Sequence, residues 1–320
     1  GPSGVQAHDR CDRRAGCEEI DQRSQVVNRN GSKYFDPFFS DEASMTRFAK
    51  SIPLTSLALL FSGYCFAQEA AWNSLKVEAD SLYEQGHYDK AAQVALKALK
   101  AVEEVFGSQH ANMASVLNTL GEIYRKQANY EEAERVIEHA LRLRKQSFLQ
   151  DHPKIAESLN SLGYVYLNQG RYDEANPLLT RSLEIRELTL GPNHPDVAES
   201  LRSLGALRGS QGRYNEVELF FERALRIRRE FFGETHPKVA ESLKDLGRLY
   251  REQGKYAEAE SLYKRALTIR KKNLGEDHPR VAGSLNSLAI LYRKQGKYAE
   301  AEPLYKRALT IRKKNLGEDH

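Results

Sequence analysis

Four histidines, His152, His194, His236 and His278, each precede a proline, and each stands 42 residues from the next. Imidazoles gathered in one place could hold zinc or move protons. A constant interval places each in its own copy of a repeated unit, so they lie in successive layers and do not converge. Their expected role is structural, beside proline at helix starts. Glu258 and Glu260, the plainest of the repeated carboxylate pairs, are expected on a helix surface in local ion pairs. The three cysteines, Cys11, Cys17 and Cys65, all precede the periodic region, and Cys11 and Cys17 lack a second pair to complete a zinc site. No glycine-rich phosphate loop, His-Glu-x-x-His helix or nucleophile elbow is present. The expectation is therefore a non-enzyme without catalytic residues, metal or cofactor.

The elements that place these residues follow from the same interval. Tyr88, Tyr130, Tyr172, Tyr214, Tyr256 and Tyr298 recur every 42 residues, five of them in a Gly-x-Tyr turn and the second after Ala128. In the third unit Pro153 suits a first helical turn, and Ile155, Ala156, Leu159, Leu162, Gly163 and Tyr166 follow at helical spacing. Gln169-Gly170-Arg171 stops this helix. Ala175, Leu178, Leu179, Ser182, Leu183 and Ile185 form the stripe of a second, which Gly191-Pro192-Asn193 ends. Small residues mark close helix approach: Gly121, Gly163, Gly205, Gly247 and Ala289 on first helices, and Ala133, Ala175, Ala259 and Ala301 on second helices. Basic clusters such as Arg226–Arg229 and Arg270–Lys272 are expected as solvated helix ends that complement the helix dipole, with a ligand patch as the alternative. One helix pair cannot bury enough apolar surface alone, so the units must stack into a continuous array.

Composition sets the remaining bounds. The 320 residues are 29% charged and 40% hydrophobic, as in a folded, non-membrane chain. With 48 basic and 44 acidic residues, the net charge of +4 is too evenly balanced for a nucleic-acid partner.

Leu159, Leu162, Gly163, Tyr166, Gly170, Tyr172 and Ala175, with their equivalents in other units, resemble the tetratricopeptide repeat (TPR). The 42-residue length and the Leu274-Gly-Glu-Asp-His-Pro279 linker are similar to the kinesin-light-chain and nephrocystin subtype, which also abounds in bacteria. The resemblance covers about residues 70–320. It implies an all-α, right-handed superhelical solenoid of antiparallel helix pairs, and a scaffold that binds protein or peptide on the concave face of its first helices. By that register Asn118, Asn160, Arg202, Lys244 and Asn286 should line the groove, with Arg125, Arg251 and Arg293 one turn later and Lys126 and Lys294 beside them. Asn can pair with peptide backbone and Arg can clamp a carboxylate, so an extended acidic peptide is the expected ligand. Glu157, Glu199 and Glu241 recur near this face and reduce its positive field. Thr119, Ser161 and Ser287 stand where many peptide-binding relatives carry Asn, so the relatives' ligand mode does not transfer directly. The fourth repeat departs most, with Arg208-Gly209-Ser210 and Val217; this reads as drift, with a bend or a binding site as alternatives.

Residues 68–320 are thus expected to hold six repeats, at about 72–107, 111–149, 153–191, 195–233, 237–275 and 279–317, and the start of a seventh. Residues 45–67 read as a signal peptide: Met45 with Arg47 and Lys50, then an apolar run too short to span a bilayer, then cleavage after Ala67. Residues 1–44 are expected to be upstream non-native or disordered sequence. Export to a bacterial periplasm or cell surface follows if translation starts at Met45, with a cytoplasmic location as the alternative. Repeats five and six are nearly identical and end in mid-motif. Two other readings therefore accompany the scaffold: the repeat region of a longer protein with a caspase-like protease domain, and a cytosolic kinesin-light-chain-like adaptor.

Overall fold

The computed structural model describes residues 71–316, which form twelve helices. Helix α1 includes residues 71–84 and pairs with α2 (Tyr88–Phe106). The next pairs are α3 (Ala111–Lys126) with α4 (Tyr130–Ser147) and α5 (Pro153–Asn168) with α6 (Tyr172–Leu190). Then come α7 (Pro195–Ser210) with α8 (Tyr214–Phe232), α9 (Pro237–Glu252) with α10 (Tyr256–Leu274), and α11 (Pro279–Lys294) with α12 (Tyr298–Leu316). Each helix packs on its neighbours in chain order, so the array is an all-α solenoid. Residues 1–44, the segment 45–67 expected as a signal peptide with cleavage at Ala67, and the expected start of a seventh repeat lie outside the described residues.

Local chemistry sets the boundaries. Every first helix from α3 onward is capped by histidine: Nδ1 of His110, His152, His194, His236 and His278 accepts a hydrogen bond from the backbone N–H two residues on. His110, His152 and His236 also stack on Phe106, Phe148 and Phe232. The turn into each second helix needs one left-handed residue. At Gly170 (φ 78°) it lets the Arg171 N–H donate to the Tyr166 carbonyl at 2.9 Å. Ala128 holds the same conformation with φ 59°.

The recurring small residues allow interdigitation. A Cβ on Gly121, Gly163, Gly205 or Gly247 would lie 2.3–2.7 Å from Ile137, Leu179, Phe221 or Tyr263, the large side chains sixteen positions later. In the fourth repeat α7 is an uninterrupted helix as long as α5 and α9, and Val217 is buried where other repeats carry Ala.

The basic clusters are not uniformly solvated, which corrects the sequence expectation. Arg144, Arg186, Arg228 and Arg270 are buried, one per junction between a second helix and the next first helix. Each Nη1 donates to the carbonyl ten residues on and to the serine hydroxyl fourteen residues on: Ser158, Ser200, Ser242 and Ser284, at 2.7–2.9 Å. The guanidinium thereby satisfies polar groups that would otherwise be buried without partners. Arg226 and Lys272 remain exposed in the same clusters.

Candidate functional site

All six first helices contribute to one cavity of about 440 Å³. It begins at Tyr83 and Glu84 of α1, passes Glu122, Arg125 and Lys126 of α3 and Tyr164 of α5, and reaches Glu199 and Arg202 of α7. Lys238, Glu241, Lys244 and Asp245 of α9 and Arg280 and Gly283 of α11 complete it, with Tyr88 and Arg270 from second helices. Residues from six layers can share a cavity only if first helices line the inner side of the curve. Accordingly, α3, α5 and α7 touch in succession, as do α9 and α11. An ion pair between Glu84 and Arg280 links the first repeat to the sixth across this space.

The lining carries seven basic and five acidic side chains. Most of the acids are already paired. Arg125 binds Glu122 at 2.7 Å and Asn168 Oδ1 at 3.3 Å. Arg202 binds Glu199 through two nitrogens, and Arg228 reaches the other Glu199 oxygen at 2.7 Å. Burial pushes the Glu199 carboxyl up, but Arg202 and Arg228 outweigh it and hold the group well below the usual range. Tyr164 stands between two cations, with Arg125 at 4.7 Å and Arg202 at 5.6 Å from its ring centroid. Burial lowers the Lys126 and Lys244 ammonium pKa values, and neighbouring arginines lower them further, although Asp245 opposes this at Lys244. Neither lysine has a carboxylate within 4.0 Å among the described residues, so both are free to pair with a ligand.

Of the ten candidate residues, Arg125, Lys126, Arg202 and Lys244 meet in this cavity. Arg251 and Lys294 lie outside it and share Glu252, at 2.5 and 2.8 Å. Arg293 is exposed and Asn286 half-buried, both away from the cavity. Asn118 and Asn160 lie outside this cavity. Asn118 is 5% exposed, donates to Ser161 Oγ at 3.2 Å and accepts from Ser158 Oγ at 3.2 Å. These bonds tie α3 to α5 and use up both ends of the amide. Asn160 is 8% exposed. A second hollow of about 310 Å³ opens beside Gly209, between Leu167, Ala206, Phe221 and Leu249, where other repeats carry Arg, Leu or Tyr at the Gly209 position.

The tetratricopeptide repeat pattern matches residues 70–146, 154–230, 218–272 and 254–314. The chain belongs to the tetratricopeptide repeat family. Solved TPR arrays share its fold. BtubC (BKLC) from P. vanneervenii is 20% identical, with a TM-score of 0.53 over 76% of this chain and 91% of that one. A Podosopora anserina kinesin light chain with nearly identical TPR-like repeats is 25% identical, with a TM-score of 0.50 over 65% and 98%. A Rap protein complexed with competence and sporulation factor is 17% identical, with a TM-score of 0.56 over 76% and 75%. No curated protein matches the chain. Its kinship with kinesin-light-chain-type repeats agrees with the resemblance read from the 42-residue period.

Sequence reasoning missed Tyr164 and Gly283 as cavity residues of this TPR array, and it offered Arg270 only within a cluster read first as a solvated helix end. Tyr164 and Gly283 occur once each, at positions that hold other residue types in neighbouring repeats. The available signal was departure from the period rather than the period itself.

Proposed function

We propose that this chain is a non-catalytic adaptor that holds an extended peptide or protein segment in the channel along its first helices. The carrying observation is the convergence of Arg125, Lys126, Arg202 and Lys244, from three different repeats, on one cavity with a net excess of positive charge. A stacked array offers such a surface without any layer supplying a reaction centre. The Rap protein complexed with competence and sporulation factor is a TPR-like fold seen with a bound factor, which supports the same use of the fold here. An acidic segment fits best, because Lys126 and Lys244 lack carboxylate partners among the described residues while the channel's acids are largely engaged.

The test contrasts inner and outer charge. Lys126→Glu with Lys244→Glu reverses two channel cations, whereas Arg226→Glu with Lys272→Glu reverses two exposed ones. Partners captured from an extract of the source cells should be lost with the inner pair and retained with the outer pair. Equal capture by both variants overturns the channel assignment.

A further inference from the structure

A glutamate recurs thirteen residues after the buried arginines, and one repeat lacks it. Thirteen residues after Arg144, Arg186, Arg228 and Arg270 stand Glu157, Glu199, Glu241 and Gly283. Arg144 Nη2 lies 3.2 Å from Glu157, and Arg228 lies 3.8 Å from Glu241 while also holding Glu199 at 2.7 Å. Arg186 has Glu199 at the corresponding position, drawn toward Arg202 and Arg228, and does not line the cavity. Arg186, like Arg270, has no carboxylate within 4.0 Å among the described residues, but of the four arginines Arg270 alone lines the cavity and has no glutamate thirteen residues on. Arg270 is 5% exposed. A Cβ built on Gly283 meets nothing within 4 Å, and Gly283 also lines the cavity.

Nη1 of Arg270 is engaged by Ser284 Oγ at 2.7 Å, which fixes the guanidinium plane. Burial lowers its pKa, and Glu241 and Asp245 offset this only from beyond ion-pair distance. A buried guanidinium without a close counter-charge favours any carboxylate that can reach it, because such a hydrogen bond is charge-assisted and shielded from water.

We propose that a carboxylate of the bound segment enters beside Gly283 and pairs with Arg270, as Glu157 pairs with Arg144 and Glu241 approaches Arg228. This rests on the channel reading and names its subsite. Lys244 and Arg280, which line the same cavity, would hold the flanking backbone or a second acidic residue.

The test supplies the missing group in cis. Gly283→Glu places a carboxylate thirteen residues after Arg270, and Gly283→Gln supplies the same length and helix propensity without charge. The probe is fluorescein-labelled hexaglutamate, as a C-terminal amide and as a free acid, followed by anisotropy. The Glu variant should bind the probe at least tenfold more weakly than the Gln variant and should melt at a higher temperature. The amide losing affinity as much as the free acid assigns the subsite to an acidic side chain; loss confined to the free acid assigns it to a chain terminus. Indistinguishable binding and melting of the two variants overturns the subsite, and the inner–outer capture contrast still judges the channel independently. Failure of the wild-type chain to bind hexaglutamate, with that contrast intact, overturns the acidic ligand.

Discussion

Glycine has two opposed meanings in this chain, and one substitution separates them. Gly163 and Gly209 both lie inside first helices, where Ala is favoured over Gly by about 1 kcal/mol. A Cβ at Gly163 would sit 2.7 Å from Leu179 Cδ2 and 3.3 Å from the Ala175 carbonyl, whose backbone cannot swing away. A Cβ at Gly209 would meet only Val217 Cγ2, at 3.7 Å. Overpacking costs about 1–3 kcal/mol and outweighs propensity at the first site only. Gly163→Ala should therefore destabilise by about 1 kcal/mol and Gly209→Ala should stabilise by up to about 1 kcal/mol in urea unfolding. Shifts of the same sign would refute the packing account. Residue-scale legibility follows the same division. Gly163 recurs with its layer and could be read from the sequence. Gly283 and Tyr164 occur once, so no spacing exposed them. The hydrogen bonds of Asn118 were not legible, because its register was visible but its captors Ser158 and Ser161, forty and forty-three residues away, were not.

At the scale of the element, the His278 cap ties the start of α11 to pH. Nδ1 of His278 accepts from the Arg280 N–H at 3.1 Å, which requires that nitrogen to be unprotonated. Burial, and then Arg270, lowers the His278 pKa below its ordinary value of 6.5. The unfolded chain therefore binds the proton more readily than the folded one. The resulting stability is complete above the unfolded pKa and is lost as pH falls from about 6.5 through the folded value. The melting temperature should fall between about pH 7.5 and pH 5.5, and His278→Asn, which caps without titrating there, should flatten that slope. Parallel wild-type and variant curves would remove His278 from the pH response. The His-Pro signature made the helix starts legible, although capping by Nδ1 needed the backbone geometry. The basic second-helix ends hid their own pattern. Within Arg226-Ile227-Arg228-Arg229 only the third residue recurs as a buried arginine, and neighbouring Arg226 is exposed.

Across the whole array the buried arginines form a ladder in which carboxylates bridge junctions. Glu199 of α7 holds Arg202 of its own helix and Arg228, which in turn bonds Ser242 of the next repeat. Through Glu199 and Arg228, repeats four and five share one hydrogen-bonded network. Because each layer contacts only its neighbours, weakening one junction weakens the coupling of the halves on either side. Burial would raise the pKa values of Glu199 and Glu157, but the arginines prevail: Arg202 and Arg228 depress the first, and Arg144 with Lys154 depresses the second. With folded values below the unfolded glutamate value of about 4.3, this stabilisation is present above that pH and disappears as pH falls through the folded values. Helical circular dichroism followed during melts from pH 7 to pH 2.5 should show a steep loss of stability below about pH 4. Glu199→Gln should lower stability at pH 7 by about 1–2 kcal/mol, since it replaces charge-assisted bonds with neutral ones. It should also make the acid decline shallower, because the titrating group has been removed. A decline as steep as that of the wild type would show that the junction between repeats four and five does not set the acid response, and would return that role to the peripheral ion pairs of the second helices.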